Sequence, residues 1–275
     1  PGWRPTRTGR WLMDRITAQL AKGDHIVCVS HATKRDLLAY VDIPEARVSV
    51  IHNAVFQPME PASATDCAAL RNRCGLPLEA PLVLHVGRNF YKNRDAVLET
   101  AARMRSVRPE VHFVMVGRLT PDLANRADRL GLGPALHVLP QVAREDMATL
   151  YSAASALLFP SHCEGFGLPV IEAQMCGTPV VCSNRGSLAE VAGDGAMVLK
   201  PHDHEGMVEA ITRILEDPEH AADLVLRGRE NAARFGADGW AEAHAKLYIS
   251  LAGSATTIKG TRPDNQRKVA GATQD

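Results

Sequence analysis

The sequence carries no excess of charge and no long apolar segment, and each absence excludes a class of protein. Lys and Arg together number 31, as do Asp and Glu, so the chain lacks the basic excess that a protein binding duplex nucleic acid usually has. No apolar run approaches the roughly 18 residues that a membrane-spanning helix needs. Hydrophobic residues at 45% and a length of 275 residues instead indicate a globular protein of roughly one and a half to two domains.

Cysteine is scarce as well. Six cysteines are scattered along the chain without a Cys-x-x-Cys pair, so neither a disulfide scaffold nor a zinc or redox motif is predicted. We interpret them as reduced thiols of a cytoplasmic protein. The first residue is Pro1 rather than Met, and no signal-peptide pattern follows it. We therefore expect the chain to begin partway through a longer protein.

From Leu82 onward, short apolar segments alternate with helical patterns, and this alternation predicts the fold. Six strands rich in Val or Leu are predicted at 82–86, 111–116, 136–139, 156–159, 179–182 and 197–199. The segments between them place apolar residues at helical spacing, as in Val97, Leu98 and Ala101. Because connections of this kind make right-handed crossovers, we predict an α/β fold with a doubly wound, Rossmann-like parallel sheet.

Composition and pattern divide the chain into four parts. Residues 1–56 hold two predicted strands (25–29 and 47–51) and two predicted helices, one of them capped by Ser30. These elements are too few to bury both faces of a sheet, so we expect them to be the end of a second Rossmann-like domain. Residues 57–236 are expected to form the main domain, 237–253 a last helix, and 254–275 a disordered polar tail.

Candidate functional residues follow the predicted strands, at the sheet edge where parallel α/β folds bind ligands. Gly87, Arg88 and Lys92 follow the first strand of the main domain; Gln141 and Val142 follow the third; the run from Glu164 through Gly165, Phe166 and Gly167 to Leu168 follows the fourth. The glycine turn opens a helix, whose unpaired N–H groups and partial positive charge suit a phosphate. Arg88 and Lys92 supply formal charges for the same phosphate. Glu172, one turn into the helix, suits the hydroxyls of a diol.

Taken singly, each of these features has a plainer explanation. Arg88 alone fits a solvated loop cation, Glu172 a residue that favours the helix dipole, and the glycine turn a tight strand–helix connection. His202 and His204 flank Asp203 without a third ligand, so we favour a solvated loop and predict no metal site. Four arginines surround Trp3 and Trp11, where a surface helix is favoured over peripheral membrane contact.

The combination is more specific, and it resembles a known family. The run from Phe159 to Ala173, with two glutamates eight residues apart across a Gly-Phe-Gly turn, resembles the signature of family 4 retaining glycosyltransferases. Val86-Gly87-Arg88 with Tyr91-Lys92-Asn93 resembles that family's Arg/Lys pair, and the run 187–195 resembles its S-L-P-E-V-x-G-D-A motif. The connector 50–55 is similar to V-I-x-N-G-V, although Ala54 stands where Gly is usual.

The resemblance implies a GT-B architecture, in which two Rossmann-like domains face each other across a cleft. Residues 57–236 would hold a nucleotide-sugar donor, and the last helix would cross back to the N-terminal domain. Arg88 and Lys92 would neutralise the diphosphate and, with Glu164, act in catalysis. Glu172 would bind the ribose. Glu164 and the backbone of 165–168 would hold the sugar and the distal phosphate, with Gly87 nearby, while Gln141 and Val142 would touch the nucleobase.

By the same resemblance, the expected function is transfer of a hexose, with retention, from GDP-mannose or a UDP-sugar to a saccharide or lipid-linked acceptor. This reaction would serve surface polysaccharide or glycoconjugate synthesis in the cytoplasm, at the inner face of the membrane. The chain contains no Asp-x-Asp motif, which suits a metal-independent site without a cofactor. Two alternatives stay open: a donor-binding remnant that lacks transfer activity, and a nucleotide-sugar epimerase of the same architecture.

Overall fold

Two parallel sheets organise the chain in the computed structural model, which describes residues 7–57 and 59–259. The smaller sheet pairs β1 (Ile26–Cys28) with β2 (Val48–Val50). The larger contains β3 (Leu82–Val86), β4 (His112–Val116), β5 (Leu136–Leu139), β6 (Ala156–Phe159), β7 (Val180–Ser183) and β8 (Ala196–Leu199), in the order β5-β4-β3-β6-β7-β8. All its neighbouring strands are parallel. The predicted α/β, doubly wound sheet is confirmed.

Helices cover both faces of the larger sheet because its strands are apolar on both sides. Residues that alternate along β3 separate into two cores: Val83 faces one, and Leu82 and Leu84 face the other. Each of these side chains is at most 1% exposed. This is the burial expected of a parallel sheet between two helical layers, and it explains why the strands are uniformly apolar.

The helices of the described residues are α1 (Arg7–Leu20), α2 (His31–Tyr40), α3 (Ala64–Arg73), α4 (Arg94–Val107), α5 (Pro121–Arg129), α6 (Met147–Ser152), α7 (Leu168–Met175), α8 (Leu188–Ala192), α9 (His204–Glu216), α10 (Pro218–Ala232) and α11 (Ala237–Lys259). Ser30 caps α2 as predicted, accepting a hydrogen bond from the amide of Thr33 at 3.0 Å. Helix α3, which our prediction did not name, and helix α5, which lies between two predicted strands, carry the same signal, since Ser63 and Thr120 cap them.

The smaller sheet has its own apolar cluster, formed by Cys28, Val41, Ile43 and Val48. The connector that follows β2 then packs against the main domain: Val55 shares a cluster with Phe166 and Phe235, and its amide donates to the Phe235 carbonyl at 2.9 Å. The N-terminal segment is therefore fastened beside the loop that follows β6.

The structure corrects our expectation for the C-terminal end of the chain and describes part of the N-terminal end. Helix α11 extends to Lys259, so the boundary expected at 253 falls inside it and the tail expected to begin at 254 is helical up to 259; residues 260–275 lie outside the described residues. Trp3 also lies outside them. Trp11 on α1 is 57% exposed, and the Arg15 guanidinium lies 4.9 Å from the centre of its ring. Within the described part of the chain, no helix has the length and apolarity to cross a membrane.

Candidate functional site

The strand order places a topological switch point between β3 and β6. Strands β4 and β5 continue the sheet on one side of this pair, and β7 and β8 continue it on the other. The connections that leave the carboxyl ends of β3 and β6 therefore diverge and open a crevice, which is where such sheets bind ligands. The loop after β3 begins at Gly87, and the loop after β6 begins at Pro160.

An ion pair joins these two loops. The Nζ of Lys92 lies 2.7 Å from Oε1 of Glu164, and the Ser161 hydroxyl donates to the same oxygen at 2.8 Å. The two charged side chains are only 11% and 9% exposed. The Lys92 ammonium also lies 4.4 Å from the centre of the Phe159 ring. Two residues predicted to act together, 72 positions apart in the chain, are thus brought into contact.

Gly87 is required by the path of the Lys92 side chain. Its φ is +128°, and a Cβ at this position would lie 2.9 Å from both Cγ and Cε of Lys92. Any larger residue would therefore push the lysine stem away from the crevice. The structure gives Gly87 a steric role in addition to the binding role that we predicted.

Two residues hold the loop after β3: Asn93, which our sequence reasoning named only as part of a motif, and Arg94, which it missed. Asn93 has a left-handed backbone with φ of +54°, and its Nδ2 donates to the carbonyls of Pro160 and Pro201 at 2.9 and 2.8 Å. The Arg94 guanidinium donates to the carbonyls of Gly117 and Arg118 at 2.8 and 2.7 Å. The signal available in the sequence was the adjacent polar pair Asn93-Arg94 directly after Lys92 at the start of a helix.

Arg88 lines a surface cleft, whereas Lys92 is buried. Arg88 is exposed and lines a cleft of about 380 Å³ together with Phe90, Arg94, Thr120 and Arg126. Neither Lys92 nor Glu164 is among the described residues that line this cleft.

The glycine turn after β6 is shaped by close backbone contacts. Gly167 has φ of +107°, and a Cβ there would lie 2.6 Å from the side chain of Leu188. It precedes Leu168, the first residue of α7, as predicted. Ser187 fixes the turn from the other side, because its hydroxyl donates to the Phe166 carbonyl at 2.7 Å and its amide to the Glu164 carbonyl at 3.1 Å. The start of α7 at Leu168 is therefore held at the edge of the crevice, although Pro169 has no N–H and the Val170 amide already donates to the Gly167 carbonyl at 2.9 Å.

Glu172 accepts a hydrogen bond that the sequence did not reveal. The buried Tyr151 hydroxyl donates to its Oε2 at 2.8 Å. Burial, reinforced by the Glu172 carboxylate, raises the pKa of Tyr151 well above its ordinary value, so the phenol remains a donor at neutral pH. The contact fixes the orientation of the carboxylate one turn into α7. A hydroxylated ligand would have to share this carboxylate with Tyr151.

Gln141 and Val142 lie at the end of β5, two strands from the switch point. Gln141 is exposed, whereas Val142 packs partly buried against the core that contains Tyr151. Their position on the same edge of the sheet as Lys92 and Glu164 follows from the parallel strand directions.

The loop from 202 to 204, considered above as a metal site, is explained by helix capping. Asp203 accepts from the Gly206 amide at 3.0 Å and caps α9. Elsewhere, potential ligand atoms of His31, His52 and Glu190 lie within 4.8 Å of one another. Both Glu190 oxygens already accept hydrogen bonds, from backbone amides and from His52, so this group is a hydrogen-bonded cluster.

A doubly wound sheet with polar loops and a helix N-terminus at its switch point is typical of α/β proteins that bind nucleotides or similar ligands, and comparison with known proteins identifies the family. Residues 68–231 match the family model described as glycosyl transferases group 1, and residues 1–56 match the model of glycosyltransferase family 4. The chain belongs to the group 1 glycosyl transferases.

Two curated relatives illustrate the similarity. The D-inositol 3-phosphate glycosyltransferase of Thermobispora bispora is 31% identical over 243 residues, covering 82% of this chain and 55% of the relative. The protein of the same name from Mycolicibacterium paratuberculosis is 33% identical over 238 residues, covering 82% and 53%. The chain therefore spans about half the length of these relatives.

Solved structures confirm the GT-B fold. Sucrose-phosphate synthase from Thermosynechococcus elongatus aligns with a TM-score of 0.76 and 27% identity, over 89% of this chain and 62% of the other. HepE from Anabaena, solved with UDP-glucose, aligns with a TM-score of 0.77 and 22% identity, over 86% and 67%. At that identity the second likeness concerns the fold alone.

Proposed function

We propose that this chain carries the donor site of a retaining glycosyltransferase that moves a hexose from a nucleoside diphosphate sugar to an acceptor hydroxyl. The observation that carries the proposal is the Lys92–Glu164 ion pair, with 2.7 Å between Nζ and Oε1, beside the N-terminus of α7. A cation, a carboxylate and a helix N-terminus at one switch point match a ligand that joins a diphosphate to a sugar.

In this proposal the donor residues have distinct tasks. Lys92 and the positive end of the α7 dipole receive the diphosphate, and Arg88 supplies a second positive charge. Glu164 holds the sugar hydroxyls and Glu172 the ribose. Gln141 and Val142, at the end of β5, border the base. The domain limits that we propose are 1–56 for the acceptor side and 57–236 for the donor side.

The difficult part of the reaction is departure of the diphosphate from the anomeric carbon. As the bond from the anomeric carbon to the phosphate oxygen breaks, negative charge grows on that oxygen. Fixed positive charge at Lys92 and α7 stabilises the transition state more than the bound donor. The acceptor oxygen forms its bond to the anomeric carbon on the face that the phosphate leaves, and its proton passes to the leaving phosphate oxygen. This order of events is taken from the family resemblance.

The donor and acceptor are proposed at the level of class. The residues of the Gly87–Asn93 and 187–195 motifs favour GDP-mannose as the donor. The HepE structure, by contrast, was solved with UDP-glucose. The names of the two relatives given above do not mention mannose. The names of those relatives point to a phosphorylated polyol as an acceptor to test beside saccharide and lipid-linked acceptors. Both donors are therefore compared in one experiment.

The test is calorimetry of the full chain with UDP-glucose and with GDP-mannose, followed by an assay for sugar transfer. Arg88→Ala is the sharpest variant, because Arg88 is exposed and its loss should leave folding intact. We expect donor binding to weaken by about 1.5–3 kcal/mol, the range for a hydrogen bond to a charged group. Arg103→Ala, on the exposed side of α4, is the matched control. Equal donor affinity in both variants would remove Arg88 from the site, and binding without transfer would favour the donor-binding remnant.

A further inference from the structure

Glu190, on α8, joins the main domain to the N-terminal segment. Its Oε1 accepts from the His31 amide at 2.8 Å and its Oε2 from the Ala32 amide at 3.2 Å. The Nε2 of His52 lies 2.7 Å from Oε1. Burial alone would raise the pKa of Glu190, but the hydrogen bonds from these three partners hold that pKa below its ordinary value. The carboxylate therefore sits, ionised, at the N-terminus of α2, where the helix dipole favours it.

The same start of α2 holds the glycine turn after β6. The Ser30 hydroxyl donates to the Gly165 carbonyl at 2.9 Å, and the Thr33 hydroxyl lies 3.2 Å from the same oxygen. Ser30 is fully buried. The first turn of α2 thus lies between Glu190 and Gly165. Its backbone amides donate to the Glu190 carboxylate, and its hydroxyls donate to the Gly165 carbonyl.

Ser187 connects the segment that carries Glu190 to the same glycine turn. It lies three residues before Glu190 and donates to the carbonyls of Glu164 and Phe166. Next to it, Gly186 has φ of +60°, and a Cβ there would lie 2.3 Å from the Glu164 carbonyl oxygen. A continuous chain of contacts therefore runs from Glu190 through α2 to Gly165, Glu164 and back through Ser187.

We propose that Glu190 is a positioning residue for the donor site: by anchoring the start of α2, it fixes the Gly165 carbonyl and hence Glu164 and the N-terminus of α7. This inference rests on the proposed function. A carboxylate can accept from three donors at once, whereas the amide of Gln offers one oxygen and turns an NH₂ group toward a backbone N–H. The contact joins segments more than 130 positions apart. Its loss removes one of the two anchors of the first turn of α2 and leaves the Ser30 and Thr33 bonds to Gly165 as the other.

The experiment measures donor affinity in a double-mutant cycle. Glu190→Gln and Ser30→Ala are made singly and together in the full chain, and binding of UDP-glucose and GDP-mannose is measured by calorimetry. Glu205→Gln, an exposed glutamate on α9, is the control. We expect Glu190→Gln to weaken donor binding about tenfold, as one charge-assisted hydrogen bond is worth. Because both changes release the same turn, the double variant should lose no more than the larger single loss.

Amide hydrogen exchange provides the second readout, and it does not need a donor. In Glu190→Gln, exchange should accelerate in peptides that contain Gly165 and the start of α7, and Glu190→Asp should restore part of the protection. Additive losses in the cycle, or faster exchange confined to α2 and α8, would overturn the positioning role. If the wild-type chain binds neither nucleotide sugar, the proposed function fails, and the exchange pattern around Gly165 decides the positioning role by itself.

Discussion

The Lys92–Glu164 pair gives the most direct test of how the site is built. Lys92→Met replaces the lysine stem up to Cε with an unbranched apolar side chain and removes the ammonium. The Glu164 carboxylate then keeps its hydrogen bond from the Ser161 hydroxyl. With side-chain exposures of 11% and 9%, solvent cannot replace the ammonium easily. The free energy of unfolding should therefore fall.

The size of the loss follows from the geometry. At the observed 2.7 Å and an effective dielectric constant of about 20, the gross attraction is about 6 kcal/mol. Desolvation of both charges offsets much of this, and removing one partner of a buried pair typically costs about 3–5 kcal/mol. Because Ser161 still donates to Glu164, we expect the lower end, about 3 kcal/mol. The double variant Lys92→Met/Glu164→Gln removes both charges and should recover to within about 1 kcal/mol of wild type.

The assay is urea denaturation at pH 7.5 on the wild type, both single variants and the double variant. Lys246→Met is the matched control, since Lys246 pairs with Glu242 at 2.6 Å on an exposed helix surface, and its denaturation midpoint should not shift measurably. A loss below about 1 kcal/mol in Lys92→Met, or a double variant as unstable as the sum of the singles, would refute the reasoning. The double variant also separates stability from function, because it should be folded yet bind no donor.

Three further predictions concern Glu172, His85 and the requirement for a metal. Glu172→Gln should weaken binding of a ribonucleotide sugar by about 1–3 kcal/mol and leave binding of the 2′,3′-dideoxy donor unchanged. Tyr151→Phe is the control for the hydrogen bond at Oε2 of Glu172. An equal loss of affinity for both donors would assign Glu172 a role in the fold and not in ribose binding. The buried His85 has its pKa lowered to about 4, mainly by burial, so the unfolded chain binds a proton between about pH 6.5 and 4 that the folded chain does not. Falling pH across that window should therefore cost about 3 kcal/mol of stability, and pH-dependent denaturation of His85→Leu should lack this slope. Donor hydrolysis or transfer should persist in EDTA, and a loss that magnesium or manganese reverses would contradict a metal-independent site.

Local residue patterns were sufficient for the fold because a parallel sheet buried on both faces demands apolar strands. Strands β3, β5 and β6 begin and end at the predicted residues, and Ser30 caps α2 as its hydroxyl suggested. The start of α7 at Leu168, directly after the Gly165–Gly167 turn, was equally local information. Hydrophobic periodicity, helix caps and turn glycines act over a few neighbouring residues, so the sequence alone is enough to predict the elements that they specify.

The partners of the site residues were decided by tertiary structure. Nothing near Lys92 in the chain identifies Glu164, 72 positions away, as its partner, and nothing near Glu172 indicates Tyr151. Arg88 lines a cleft with Thr120 and Arg126, and nothing near Arg88 in the chain indicates those neighbours. Glu190 entered our sequence reasoning only as part of a motif. Its hydrogen bonds to α2 form because the fold packs α8, which follows β7, against the N-terminal segment. Charges and hydrogen bonds of this kind depend on distances that only the packed sheet sets.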